Sequence, residues 1–431
     1  MKGQGLQKTS TPEDAELLPG EKVVFGDRAA KQAATDEELN RKYVKGEIRI
    51  VTEAARYSLA GILTMLRENV KAEDGGEPEP RYQLDPEYQR RHRWSVERKS
   101  RLIESFLMNV PVPPVFLYER DLARYEVMDG RQRLTAIKEF YGDEFELKGL
   151  QYWGELNGRR YSNLPGKVRD GIDRRYISSI ILLQETASSP EQAAFLKKMV
   201  FERLNSGGVA LSHQETRNAV YDGPLNRLCL DLSRNHHFRA MWGIPDALPA
   251  VMEEEGAEDR EETSTDKGLA MFQKMDDVEL VLRFFAYRQI SSAPSGLNRI
   301  NSFLDLFLIE GNKFTDQILT TYRTMFEGTI ELLWGLLGHK AFCRMSSGGQ
   351  WRGGPTKIVY DPLMYAASLY WTTGEAQHLL AGRGIVLDEI RNMYNAHAPL
   401  FEGRRTNRSD ILPRNREVMV AFQKALDRLK G

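Results

Sequence analysis

The clearest change of hydrophobic period lies at 123–140, ARYEVMDGRQRLTAIKEF. Tyr125 and Val127 share one phase of a two-residue repeat, which predicts a half-buried strand ending at Met128. Asp129-Gly130 breaks the strand. Leu134, Ile137 and Tyr141 then fall at helical spacing, so a helix starts at about Arg131. The predicted unit is strand, tight glycine turn, helix.

Other elements follow from the same pattern. Residues 1–44 are polar with little periodicity and read as a flexible tail. Leu59, Ile62, Leu63 and Leu66 share a helical face over Ser58 to Asn69, and the stretch from Lys71 to Pro80 is a loop. Residues 82–94, YQLDPEYQRRHRW, read as a short strand, a proline turn and a basic aromatic segment. Ser95 is an N-cap for a helix whose buried stripe is Val96, Ile103, Phe106 and Leu107. Pro111, Pro113 and Pro114 stop it. Val115 to Tyr118 is a strand paired beside the one ending at Met128. An extended pair is expected around Phe145 to Leu164, then a helix over Gly166 to Ile172 and a strand from Ile177 to Leu183. Pro190 opens a long helix to about Leu204, closed by Asn205-Ser206-Gly207-Gly208. Ser212 and Glu215 form an S-x-x-E capping box.

Beyond about 216, helical faces recur at 224–233, 269–289, 300–309, 315–336, 360–371, 384–395 and 415–429, with almost no strand signal. Residues 251–267 are acidic, lack apolar periodicity and read as an exposed loop. The expected class is α+β: an N-terminal domain over 45–220, then an all-helical domain over 221–431.

Composition narrows the function classes. The 431 residues suffice for two or three domains, and 60 Lys and Arg against 61 Asp and Glu leave a net charge of -1. No global basic field draws nucleic acid, so any DNA-binding face is local. Two cysteines, Cys229 and Cys343, give neither a zinc pattern nor a disulfide framework and suit a reducing cytoplasm. The polar N-terminus has no signal-peptide core. The most apolar run, Phe303 to Ile309, is too short to span a bilayer.

Four clusters carry candidate chemistry. Arg131 and Arg133 stand in a helix's first turn, where the dipole and free N–H groups attract anions and cations are disfavoured. Phosphate suits a guanidinium fork there; pairing with carboxylates elsewhere in the fold is the plain alternative. Asp129 suits orienting an arginine, holding a metal or positioning a water, and Gln132 suits a water or a base edge. In the second cluster, Tyr88-Gln89-Arg90-Arg91-His92-Arg93-Trp94, basic and aromatic residues interleave, as stacking on a base with charge on its phosphate requires. A core Trp94 with surface arginines is the alternative. The third is Asn205 with Gly207-Gly208, a ligand approach or an ordinary helix end. The fourth is a basic patch, Arg404, Arg405, Arg408, Arg414 and Arg416, suited to a phosphate backbone or to plain solvation. No G-x-x-x-x-G-K-[ST], G-x-S-x-G, H-E-x-x-H or HNH-type motif is present.

Together these pieces resemble one family. Tyr88-Gln89-Arg90 followed by Trp94, the helix ending in Pro111 to Pro114, Val127 to Thr135, Phe201 to Asn205 with Gly207-Gly208, and Leu211 to Glu215 are similar in order and spacing to the N-terminal domain family of GmrSD-type restriction endonucleases. The resemblance covers roughly residues 45–235. It implies a ParB/sulfiredoxin-like fold, a D-G-Q-Q-R-type motif tied to nucleoside-triphosphate binding and hydrolysis, and bacterial defence against phage acting on or sensing DNA. Arg131 stands where the family usually has glutamine, which favours phosphate binding over water orientation. Carried onto this sequence, the resemblance implies Asp129, Gln132 and Arg133 as catalytic residues. Tyr88, Gln89, Arg90, Gly130, Arg131, Arg133 and Asn205 would bind the NTP (GTP, ATP or CTP), with Mg²⁺ on Asp129 and Asn205. Arg404, Arg405 and Arg408 are the DNA-contact candidates. A separate nuclease subunit is an expected partner, an oligomer is open, and no membrane association is expected. The alternative is a non-enzymatic ParB-like DNA-binding module or nucleotide-gated switch.

Overall fold

The structure is a computed structural model. It describes residues 17–23, 35–45, 50–71, 77–84, 94–183, 190–204, 212–245, 264–292, 300–346, 349–403 and 405–430. These form two compact units. One draws on residues 31–220 and 249–259, the other on 1–30, 221–248 and 260–431.

The first unit is α+β. It contains α1 (Asp36–Lys45), β1 (Thr52–Ser58) and α2 (Leu59–Met65), then a two-stranded ribbon of β2 (Asn69–Val70) and β3 (Glu79–Pro80). β4 (Tyr82–Gln83), α3 (Val96–Leu107), β5 (Val115–Asp121), β6 (Arg124–Asp129) and α4 (Arg131–Tyr141) follow. α5 (Gly166–Asp173), β7 (Tyr176–Leu182), α6 (Pro190–Leu204) and α7 (His213–Val220) complete it. The five-stranded sheet has the order β1-β7-β5-β6-β4. β5 and β6 form an antiparallel hairpin, while β5 with β7 and β4 with β6 run parallel. Strand alternation separates two apolar sets. Val115, Leu117, Val127, Ile177 and Ile181 join Leu59, Ile62, Ile103, Phe106, Leu134, Ile137 and Phe140 in the main core. Met128, Leu182 and Phe201 form a smaller one.

Local signals mark several ends. Ser95 Oγ accepts from Arg98 N at 3.4 Å, and Ser58 Oγ caps α2 in the same way. The capping box at α7 is reciprocal: Ser212 N donates to Glu215 Oε2 at 2.7 Å, and Glu215 N to Ser212 Oγ at 3.1 Å. The extended pair expected over 145–164 is replaced by irregular chain with 3₁₀ turns at Gly154–Leu156 and Tyr161–Asn163. One exchange survives, Leu147 N to Arg159 O and Gly158 N to Leu147 O, both at 2.8 Å. The physical reason is Glu104. Its buried carboxylate accepts from Gln151, Tyr152 and Trp153 N at 3.2, 2.7 and 2.9 Å, taking donors a ladder would need.

The second unit is helical: α8 (Pro224–Leu232), α9 (His236–Trp242), α10 (Ser264–Gln273), α11 (Asp276–Tyr287), α12 (Ile300–Gly311), α13 (Asp316–Leu337), α14 (Lys357–Thr372), α15 (Ala376–Ala381), α16 (Arg383–His397) and α17 (Arg408–Lys430). A short hairpin, β8 (Arg344–Met345) with β9 (Trp351–Arg352), interrupts it. Phe285 stacks on Tyr322 at 4.3 Å between ring centroids, and Phe238, Phe284 and Phe326 pack beside them. Arg283 donates from Nε to Asp361 Oδ1 at 3.1 Å inside this core. The single helical face expected over 269–289 divides at Met275, whose φ of +55° breaks it into α10 and α11. The acidic stretch at 251–267 reaches into α10 from Ser264, and its remainder lies outside the described residues. The expected tail also needs correcting. Residues 17–23 belong to the helical unit, where Glu21 and Val23 are buried. α+β class, N-terminal sheet and helical C-terminal part are as the sequence predicts.

Candidate functional site

The strand–turn–helix at 124–141 is built as its pattern requires. β6 ends with Asp129 in register with Phe116 of β5, and α4 begins at Arg131. Gly130 between them has φ +94° and ψ 8°, the left-handed region that glycine alone enters freely. Space demands glycine as well. A Cβ there would stand 2.4 Å from Val115 Cγ1. Leu134, Ala136, Ile137 and Phe140 anchor α4 in the core, which leaves Arg131, Gln132 and Arg133 half-buried in the first turn. That turn has no acidic residue and no side-chain cap.

Arg133 turns back across the glycine. Its Nη2 donates to Asp129 Oδ2 at 2.7 Å and to Pro114 O at 3.2 Å. Arg133 is 15% exposed and Asp129 47%, so the carboxylate faces solvent while the guanidinium lies beneath it. Arg133 Nε is buried and has no hydrogen-bond partner among the described residues. An unmet donor on a charged group costs more than a typical hydrogen bond returns. Gln132 Oε1 accepts from Trp94 N at 3.2 Å, which pins the end of the basic aromatic segment against the turn. Trp94 lies beneath Arg98, whose Cζ is 4.9 Å from the ring centroid. The first and second sequence clusters therefore meet at Gln132 and Trp94. Gln132 thus spends its carbonyl oxygen on backbone, a structural use that its proposed water-orienting role did not foresee.

Tyr88, Gln89, Arg90, Asn205 and Arg404 lie outside the described residues. Asn205 follows α6 directly in the chain. The basic patch is not uniformly presented. Arg405 is exposed and Arg416 is exposed, but Arg414 is buried. Its Nε donates to Leu400 O at 2.5 Å and its Nη1 to Arg405 O at 2.8 Å, and burial pulls its pKa down. Arg414 therefore holds the preceding loop and is withdrawn from any phosphate backbone. Arg408 Nη2 donates to Ser291 O.

One pair near the turn escaped the sequence reading. Lys197 of α6 donates to Glu126 of β6 at 2.7 Å, with side chains 10% and 6% exposed, and its Nζ sits 5.4 Å from the Tyr118 ring centroid. Burial, then the Glu126 charge, raises the Tyr118 pKa. A lysine inside an otherwise apolar helix face was the available signal. A cleft of about 460 Å³ in the same unit is lined by Val96, Phe145, Leu147, Lys148, Asn157 and Arg160 among others, none of them from the 129–133 turn. Among the described residues, no group of three or more His, Cys, Asp or Glu suits a metal ion. No described helix is long and apolar enough to cross a membrane.

The fold and turn define an α+β domain organised around an aspartate–glycine turn and an arginine locked behind it. Residues 71–221 match the family described as GmrSD restriction endonuclease, N-terminal domain. The match supports a GmrSD-type N-terminal domain over this segment. No curated protein matches the chain, and no solved structure does.

Proposed function

We propose that the chain is a restriction-related phage-defence protein whose N-terminal domain binds a nucleoside triphosphate at the 129–133 turn and acts on or senses DNA. The observation that carries this reading is Arg133. Its guanidinium is oriented by Asp129 and Pro114, yet keeps a buried Nε–H without an acceptor at the mouth of a helix. Once the turn opens around a bound nucleotide, a phosphate oxygen would supply that acceptor with charge assistance. Arg131 at the first helical position adds a second cation, and the family resemblance supports Tyr88, Gln89, Arg90 and Asn205 as further contacts.

The donor set fits Mg²⁺ only in one manner. Mg²⁺ takes one or two carboxylates and completes its shell with phosphate and water. Asp129 offers one solvent-facing carboxylate, and the described residues hold no fuller cluster. Asp129, with Asn205, would hold the ion, which would neutralise charge on the phosphates when bound. A separate subunit would supply any DNA cleavage.

The test is incubation of the purified chain with ATP, GTP or CTP and Mg²⁺, with and without DNA, reading binding and phosphate release. Arg133→Ala should weaken binding by about 1.5–3 kcal/mol. Neither binding nor release under any condition would remove the reading. A second reading is favoured by the Asp129–Arg133 pair itself. An internal carboxylate already occupies one face of that arginine, as a fold-stapling role would have it. The domain would then be a ParB-like DNA-binding module without turnover. A gel-shift series across salt separates the two: DNA affinity falling steeply with salt, indifferent to nucleotide, favours the module.

A further inference from the structure

Residues 17–23, LLPGEKV, are built into the helical unit by a set of contacts that the proposed function does not use. Leu18 to Glu21 form a tight turn: Glu21 N donates to Leu18 O at 2.9 Å, and Gly20 sits at φ +84° after Pro19. Proline then glycine at the two central positions is the sequence that a type II turn requires. The turn aims Glu21 inward, where it is 0% exposed. Arg288 donates to it from Nε at 2.8 Å and Nη2 at 3.3 Å, and Tyr322 Oη at 2.9 Å. Leu18 N donates to Oε2 at 2.6 Å, so the turn itself helps satisfy the carboxylate. Gln289 grips the backbone on both sides, accepting from Val23 N at 2.9 Å and donating to Glu21 O at 2.8 Å.

The socket belongs to the helices. Arg288 closes α11 and is 4% exposed, Gln289 is 1% exposed, and Tyr322 of α13 is fully buried against Phe285. Burial, then the Glu21 charge, holds the Tyr322 hydroxyl well above its ordinary pKa, so it stays a donor. An arginine at this depth needs a carboxylate. In sequence that carboxylate stands on the far side of the whole α+β unit. The helical unit thus draws on chain from both ends of the α+β unit.

We propose that Arg288, Gln289 and Tyr322 form a peptide-binding socket specific for a carboxylate on a proline–glycine turn, and that the chain's own Leu17–Val23 segment is its ligand. The segment acts as a latch. While seated, it ties the chain that precedes residue 31 to the helical unit; when released, that stretch of chain is freed from the socket.

Two experiments on the whole chain test this. In the intact protein, the amides of Leu18, Glu21 and Val23 should be protected from hydrogen exchange. Glu21→Gln should speed their exchange at least tenfold while the α11 and α13 amides keep their protection. Exchange of those three amides at unfolded-chain rates in the wild type, or unchanged in Glu21→Gln, would overturn the proposal. In the second experiment, a chain lacking residues 1–24 should bind a capped synthetic peptide of residues 15–25, and at least tenfold more weakly when the peptide carries Gln at position 21. Equal binding of the two peptides, or none by a deleted chain whose helices remain folded, would also overturn it. Should the deleted chain fail to fold, the exchange comparison decides alone.

Discussion

Replacing Gly130 with alanine perturbs the turn in two separable ways. The φ of +94° costs an L-residue roughly 1–2 kcal/mol. The new methyl meets Val115 Cγ1 at 2.4 Å and Cβ at 2.9 Å. Val115 is 1% exposed within the main core and has no room to retreat, so this overpacking adds about 1–3 kcal/mol. The total is about 2–5 kcal/mol, carried by the α+β unit. Val115→Ala removes Cγ1 but keeps Cβ, so it should relieve most of the steric part and leave the backbone part. The two substitutions should therefore be strongly non-additive, with a favourable coupling of about 1–2 kcal/mol. Hydrogen exchange of peptides from α3, β5 and α4, followed across urea, reads the opening free energy of this unit apart from the helical one. A loss below about 0.5 kcal/mol in the single variant, as at an ordinary surface site, would refute the account of the turn. So would strict additivity in the double variant.

Three further outcomes follow from the same geometry. Glu104→Gln leaves at least one of the 151–153 amides without its acceptor and should cost about 1.5–3 kcal/mol at neutral pH, with faster exchange confined to that loop. Burial alone would raise the Glu104 pKa, but the three backbone donors outweigh it and the net direction is down. A lowered folded pKa means that the contribution is present above the ordinary glutamate value, about 4.3, and is lost as pH falls through the folded one. The stability gap between wild type and Glu104→Gln should hence narrow as pH falls below the ordinary glutamate value, about 4.3, in urea titrations, and a widening gap would contradict the assignment. Lys197→Met strands a buried carboxylate at Glu126 and should cost about 3–5 kcal/mol, whereas the double change with Glu126→Leu should recover most of it; equal losses in single and double variants would show that packing, not charge, is at stake.

What the residues settle by themselves is local. The passage from β6 through Gly130 into α4 was legible because a change of period brackets a glycine. The Ser95 cap and the Ser212–Glu215 box were legible because donor and acceptor lie three residues apart. The order of motifs from Tyr88 to Glu215 likewise pointed to a GmrSD-type N-terminal domain, which the family match over 71–221 supports. Tertiary structure decided the rest. β1, TEAARYS, shows no apolar alternation and is largely exposed; it is a strand because β7 offers it a partner from Thr52↔Leu182 to Ser58↔Tyr176. α17 runs through Pro413 from Arg408, well before the helical face predicted at 415, because its apolar side packs in the helical core. Lys197 meets Glu126 across 71 residues and Arg288 meets Glu21 across 267. A period or a cap reports interactions within a turn or two of the chain. A buried charge finds its counterpart only after strand order and helix packing have set which faces meet.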